Sequence, residues 1–223
     1  MICSRQPQIL TRDQDAFLNA FFRLTSEFYL TGGTALAGFY LGHRTSIDLD
    51  LFTQDADAFE HLDVVLSDTA DALGIAVRGI RTTHYFKHFE AEMSSGPLTI
   101  HSARDVPARL APVASCGDTR VDSIEDIMAN KLCAMLGRSA MKDFIDLLFL
   151  DRAGYDTLSF LPRAQRKDGG MAAESLAYSI EQLSITAVPD FLVKPVTLDE
   201  LLAFKENTID RLVTSVFPHE TEP

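Results

Sequence analysis

Apolar and polar positions change period several times along the chain, and each change marks an element. Thr11 and Gln14 form a capping-box pattern ahead of Phe17, Leu18, Phe21 and Leu24, which line one side of a predicted first helix. Glu27-Phe28-Tyr29-Leu30 is a short apolar and aromatic run that suits a buried strand. Gly32 and Gly33 then permit a tight turn into a helix over 35–41, which Gly38 weakens. Ser46, Asp48 and Asp50 alternate with Ile47, Leu49 and Leu51, the period of a strand with one buried face. Asp57 and Glu60 open a helix with Phe59, Leu62, Leu66, Thr69 and Leu73 inward, and Gly74 ends it. Residues 75–103 read as β structure, turned at Ser94-Ser95-Gly96-Pro97.

Periodicity fades between Pro107 and Thr119, and past that stretch the chain reads as mostly helical. Behind Ser123 and Asp126, Ile124, Ile127, Met128, Leu132, Met135 and Leu136 share helical spacing, with Lys131 at the edge of the stripe. Lys142-Asp143-Phe144-Ile145-Asp146-Leu147-Leu148 predicts a second helix against the first. A last helix starts at the Thr197/Glu200 capping pattern and carries Leu201, Phe204, Ile209 and Leu212. The predicted class is α+β: a core over residues 1–115 and a mostly helical domain over 116–223. No repeat or low-complexity tract interrupts it.

Composition narrows the setting. Of 223 residues 46% are apolar, which excludes a largely disordered chain. No apolar run is long enough to span a bilayer, and the first residues carry no apolar signal segment. Cys3, Cys116 and Cys133 are too few and scattered for a disulfide framework or a zinc site, so a reducing cytoplasm is the expected compartment. The net charge of −12, from 20 basic and 32 acidic residues, argues against a broad nucleic-acid surface. It suits a basic protein partner, and RNA would need a local patch, for which residues 162–170 are the most basic loop.

The chemistry concentrates in Leu30-Thr31-Gly32-Gly33-Thr34 and Ser46-Ile47-Asp48-Leu49-Asp50. A glycine turn at a helix start offers backbone N–H groups to phosphate, joined here by the Thr34 hydroxyl. On a strand Asp48 and Asp50 point the same way, about 7 Å apart. Such carboxylates repel unless a proton or cation lies between them, and Mg²⁺ takes hard oxygen ligands of this kind. Read separately, the turn is an ordinary strand-to-helix connection and the aspartates a solvated strand face. Together in one strand–helix–strand unit they read as a metal-dependent site for a nucleoside triphosphate.

The whole stretch, YLTGGTALAGFYLGHRTSIDLDLF, with its His43-Arg44 turn before Ser46, resembles the nucleotidyltransferase superfamily that includes DNA polymerase beta. More closely, it resembles the AbiEii-type family, nucleotidyltransferase toxins of bacterial toxin–antitoxin systems. The resemblance implies a nucleotidyltransferase-type mixed sheet with flanking helices, the helical domain completing the active-site cleft. It implies Asp48 and Asp50 as Mg²⁺ ligands, and Gly32, Gly33, Thr34, Arg44, Ser46, Lys131 and Asp146 on the nucleotide. Lys131 would meet the triphosphate as a point charge, oriented by Asp143. An ion pair among Lys131, Asp143 and Asp146 is the structural alternative. The implied reaction moves a nucleoside monophosphate from an NTP to a hydroxyl, tRNA being the leading acceptor and protein the second, with a cognate antitoxin as partner.

The superfamily often carries a third carboxylate on a neighbouring strand, and here His101 stands at the expected position. Glu90, Glu92 and Asp105 are the substitutes in reach. His84, His88 and His101 match no metal spacing and read as sheet-surface residues or as RNA and nucleotide contacts. The departure leaves two rivals open: a non-catalytic nucleotide- or partner-binding module of the same fold, and a metal-dependent phosphohydrolase.

Overall fold

A computed structural model describes residues 2–6 and 8–217, and the chain forms two compact units, residues 1–124 and 125–223. In the first, helix α1 (Arg12–Leu24) begins at the predicted capping box: Gln14 N donates to Thr11 Oγ1 at 3.1 Å, and Thr11 N donates to Gln14 Oε1 at 3.0 Å. Phe17, Leu18 and Phe21 are fully buried, Phe21 meeting the ring of Phe28 edge-on at 5.6 Å. Leu24, expected on that buried side, is 48% exposed at the helix end.

Strand β1 (Tyr29–Thr31) leads directly into α2 (Gly32–Leu36), which winds on as a π-helical turn over Ala37–Leu41. The chain returns as β2 (Leu49–Thr53), antiparallel to β1. This strand is shorter than the alternation predicts: residues 45–48 are irregular and Ile47 is 82% exposed, while Leu49 and Leu51 are fully buried. Helices α3 (Ala56–Glu60) and α4 (Leu62–Leu73) follow, α4 packing on α1. Then come β3 (Val77–Thr82), β4 (Phe86–Met93) and β5 (Gly96–Arg104), with Ser94 and Ser95 at the predicted β4–β5 turn.

Two further strands, β6 (Ala114–Cys116) and β7 (Thr119–Val121), lie where the sequence shows little periodicity. At three residues each they are too short for a period to register. They complete one seven-stranded mixed sheet in the order β3-β4-β5-β2-β1-β7-β6. Here β2 runs parallel to β5, and β1 parallel to β7.

The second unit is helical: α5 (Ile124–Gly137), α6 (Met141–Arg152), α7 (Thr157–Ala164), α8 (Ala173–Glu181) and α9 (Leu198–Val216). The predicted capping box at Thr197 and Glu200 starts α9, which packs against α7 and α8. Ile127, Met128, Leu132 and Met135 of α5 and Phe144, Ile145 and Leu147 of α6 are buried without exposure.

Candidate active site

Sheet register brings the first cluster together. Pairing of β1 with β2 sets Asp50 opposite Thr31, the residue before Gly32, and pairing of β2 with β5 sets Asp50 beside His101. His101 Nδ1 lies 3.5 Å from Asp50 Oδ1 and 3.9 Å from Asp48 Oδ2. The three side chains keep between a fifth and a third of their surface open, so the group sits at a surface that solvent and ligand can reach.

Each aspartate has its own support. The Asp50 carboxylate packs so closely on Gly32 that a Cβ there would fall 2.0 Å from Asp50 Oδ2. Gly32 also has a φ of +69°, the left-handed region that L side chains enter at a cost. Asp48 precedes β2; its carbonyl accepts the Thr34 hydroxyl at 2.5 Å, and its Oδ1 accepts Ser46 Oγ–H at 3.4 Å. The Ser46 carbonyl in turn accepts Gln14 Nε2–H at 2.8 Å, so the cap of α1 also braces this segment. Thr34 is fully buried with its hydroxyl on Asp48, rather than turned outward.

Arg44 is buried, donates to the Thr45 carbonyl at 2.9 Å, and fills the space beside Gly33, where a Cβ would meet its Nη2 at 2.3 Å. Glycine at 32 and 33 therefore gives the Asp50 carboxylate and the Arg44 guanidinium room against the backbone. Thr31, ahead of them, gives its hydroxyl to Asp122 Oδ2 at 2.7 Å, and Asp122 Oδ1 accepts from Arg109 Nη2 at 2.6 Å. Asp122 is fully buried and braces the end of β1; no local pattern in the sequence marks it.

The second unit holds the other predicted residues. Lys131 Nζ lies 2.7 Å from both Asp143 Oδ1 and Asp146 Oδ2, and both aspartates are fully buried. Arg138 Nε reaches Asp143 Oδ2 at 3.0 Å. The ion-pair alternative is thus the arrangement in the structure, joining α5 to α6, with Lys131 itself 5% exposed. A second inward pair, Lys167 Nζ to Asp126 Oδ1 at 2.8 Å, takes one cation out of the basic loop, and Arg163 lies over the Phe160 ring at 4.6 Å. That loop offers RNA less charge than its composition suggests.

The third-carboxylate candidates lie elsewhere. Asp105 follows β5 at the opposite end of the strand pair and accepts the Tyr29 hydroxyl at 2.5 Å. Burial and the Asp105 carboxylate push the Tyr29 phenol far above its ordinary value. Glu90 pairs with Arg78 at 2.5 Å, and Glu92 is exposed opposite Pro97. A cavity of about 630 Å³, lined in part by Tyr29, Thr53, Arg109 and Arg120, also lies at that far end and contains none of the predicted site residues.

A model of the nucleotidyl transferase AbiEii toxin family, of type IV toxin–antitoxin systems, matches residues 16–218. The chain belongs to this family. No curated protein matches it, but solved structures do. A candidate nucleotidyltransferase from H. pylori aligns over 96% of this chain and 100% of its own, at 18% identity and a TM-score of 0.61. JHP933 from Helicobacter pylori aligns over 91% of each chain, at 21% identity and 0.58. MenT4, a nucleotidyltransferase toxin from Mycobacterium tuberculosis H37Rv, aligns over 90% of this chain and 81% of its own, at 15% identity and 0.54. These likenesses show the fold.

An AbiEii-family nucleotidyltransferase implies an NTP substrate, a divalent metal and an antitoxin partner. The donor chemistry fits such a metal: one ligand atom each from Asp48, Asp50 and His101 lies within 4.8 Å of the others. It is the one such group among the described residues, and neither Glu90, Glu92 nor Asp105 joins it. His101 belongs to this group although the spacing of the histidines gives no metal motif, because strand register rather than sequence spacing brings it there. The signal available in the sequence was its place where an acid was expected. No helix among the described residues is long and apolar enough to cross a membrane.

Proposed function

We propose that this AbiEii-family member transfers a nucleoside monophosphate from an NTP to an acceptor hydroxyl, with tRNA the favoured acceptor and a protein hydroxyl the second. The observation that carries the proposal is the pair Asp48 and Asp50 grouped about His101, with the Asp50 carboxylate packed on Gly32, a backbone position with no Cβ. Asp48 and Asp50 would hold the divalent cation, for which Mg²⁺ is the family expectation. When bound, that cation supplies charge neutralisation for the triphosphate and leaving group. Thr34 and Ser46 fix Asp48, and Gly32 fixes the place of Asp50. Lys131, which the resemblance implies as a cation for the triphosphate, is engaged by Asp143 and Asp146 in its own unit and is given no step in this reading. The acceptor oxygen bonds to the α-phosphorus, the bond to the β-phosphate bridge breaks, and pyrophosphate leaves as the hydroxyl proton passes to solvent. Most of the rate gain comes from positioning and electrostatics.

The test is an acceptor screen. Each α-labelled NTP is incubated with total tRNA, and separately with lysate protein, in Mg²⁺ or Mn²⁺, beside an Asp48→Asn variant. Label on RNA or protein with the unmodified protein alone establishes transfer and names both substrates. Activity retained by Asp48→Asn would falsify the ligand assignment. Nucleotide binding without label on any acceptor favours the non-catalytic module, which His101 in place of a carboxylate motivates. Free nucleotide products without acceptor favour a phosphohydrolase.

A further inference from the structure

His101 is the unexpected member of the site, and its surroundings give it a fixed place. It stands directly across from Asp50 in parallel register, its ring 5.6 Å from that of Phe86 and 4.9 Å from that of His88. Its Nδ1 faces the oxygens of both aspartates. A third carboxylate here would give an all-oxygen donor set. An imidazole makes the set two oxygens and one nitrogen.

The two sets select different ions. Mg²⁺ is a hard cation that takes oxygen ligands and keeps several waters. Imidazole nitrogen favours first-row transition ions, and Mn²⁺ in that series also accepts carboxylate. We propose that His101 is a nitrogen ligand that completes the Asp48–Asp50 site and turns its preference from Mg²⁺ toward first-row transition ions of the Mn²⁺ class. This rests on the reading that Asp48 and Asp50 hold the cation.

Mn²⁺ itself is the probe, because its paramagnetism reports binding without any turnover. Titration followed by the free-Mn²⁺ resonance gives its affinity, and competition gives that of Mg²⁺. The unmodified protein is expected to bind Mn²⁺ ~10-fold or more tightly than Mg²⁺. Pulsed EPR on the same bound ion should show coupling to one directly bonded ¹⁴N. In His101→Asp the ¹⁴N coupling disappears and the Mn²⁺/Mg²⁺ ratio falls close to one. An added charge raises affinity for both ions, so the ratio is the readout; His101→Gln, neutral and of similar size, should lose the coupling as well.

Mn²⁺ bound in an Asp48-dependent way but without ¹⁴N coupling overturns the proposal and leaves the aspartate site standing. In that case His101 serves as a charged or hydrogen-bonding neighbour of the two carboxylates. Binding unaffected by Asp48→Asn overturns both the proposal and the reading beneath it. The nitrogen coupling is measured on the unmodified protein, so the result does not depend on how any variant folds.

Discussion

Replacing Gly32 by alanine tests the geometry of the site more sharply than removing a ligand. The new methyl carbon would lie 2.0 Å from Asp50 Oδ2, about 1.4 Å short of the 3.4 Å at which ordinary contact begins. The backbone φ of +69° adds a further cost of about 1–2 kcal/mol for any L side chain. The carboxylate must therefore move by roughly an ångström or the turn must rearrange. A misplacement of that size costs ~100-fold in rate when positioning carries the catalysis. The expected result is a stability loss in urea unfolding that exceeds the about 1–2 kcal/mol of the backbone cost alone, with a ~100-fold fall in NMP transfer. Gly33→Ala is the control: Gly33 has no positive φ, and its methyl would meet the end of the Arg44 side chain at 2.3 Å. It should cost less stability than Gly32→Ala. Unchanged transfer by Gly32→Ala, or a larger stability loss in Gly33→Ala, would refute the reasoning.

Three other changes test the supports. Lys131→Ala leaves Asp143 and Asp146 buried without their shared cation, with Arg138 still on Asp143, and should destabilise by about 3 kcal/mol in denaturant unfolding. A loss below roughly 1 kcal/mol would mean that the pair contributes little. Asp122→Ala removes the acceptor of Thr31 and Arg109 and should cost about 3–5 kcal/mol, whereas Asp122→Asn should cost less; equal losses would count against the hydrogen-bond account. The hydroxyl and amide of Ser95, then the hydroxyl of Ser94, hold Asp13 below its ordinary value of 3.8. A lowered folded-state value means stability present above 3.8 and lost as pH falls through the folded value. The stability gap between the unmodified protein and Asp13→Asn should thus be steady near neutrality and close in acid; a gap that widens in acid would contradict the sign.

What the sequence made legible depends on how far apart the cooperating residues lie. Thr11 with Gln14 and Thr197 with Glu200 are three positions apart, and both capping boxes form as read. Asp48 and Asp50 also group as their spacing suggests, although the strand begins only at Leu49 and Ile47 is exposed. Residue 47 breaks the alternation because the segment is held from outside, by Gln14 on the Ser46 carbonyl, and not by a strand partner. Strands β6 and β7 went unread because three residues carry no period, yet β7 covers β1 and precedes Asp122. His101 and the Lys167–Asp126 pair were hidden for a common reason. Their partners are about 50 and 40 positions away, brought close by strand register or by tertiary packing.

Charge gives the cation a second part to play. A chain of net charge −12 that handles a triphosphate, and RNA if tRNA is the acceptor, works against its own field. Its interior cations do little to relieve this. Lys131 is neutralised by Asp143 and Asp146, Lys167 by Asp126, and Arg109 by Asp122. The Asp48 and Asp50 carboxylates place two negative charges at the site, so phosphate oxygens meet repulsion from them. A divalent ion held by that pair would cancel those two charges before any bond is made. The proposed reaction then needs the ion for nucleotide binding as much as for chemistry. Asp48→Asn, which removes a ligand but also a repelling charge, separates the two roles: lost transfer with retained nucleotide binding marks the chemical one. Loss of both marks the ion as the bridge between an acidic protein and an anionic substrate.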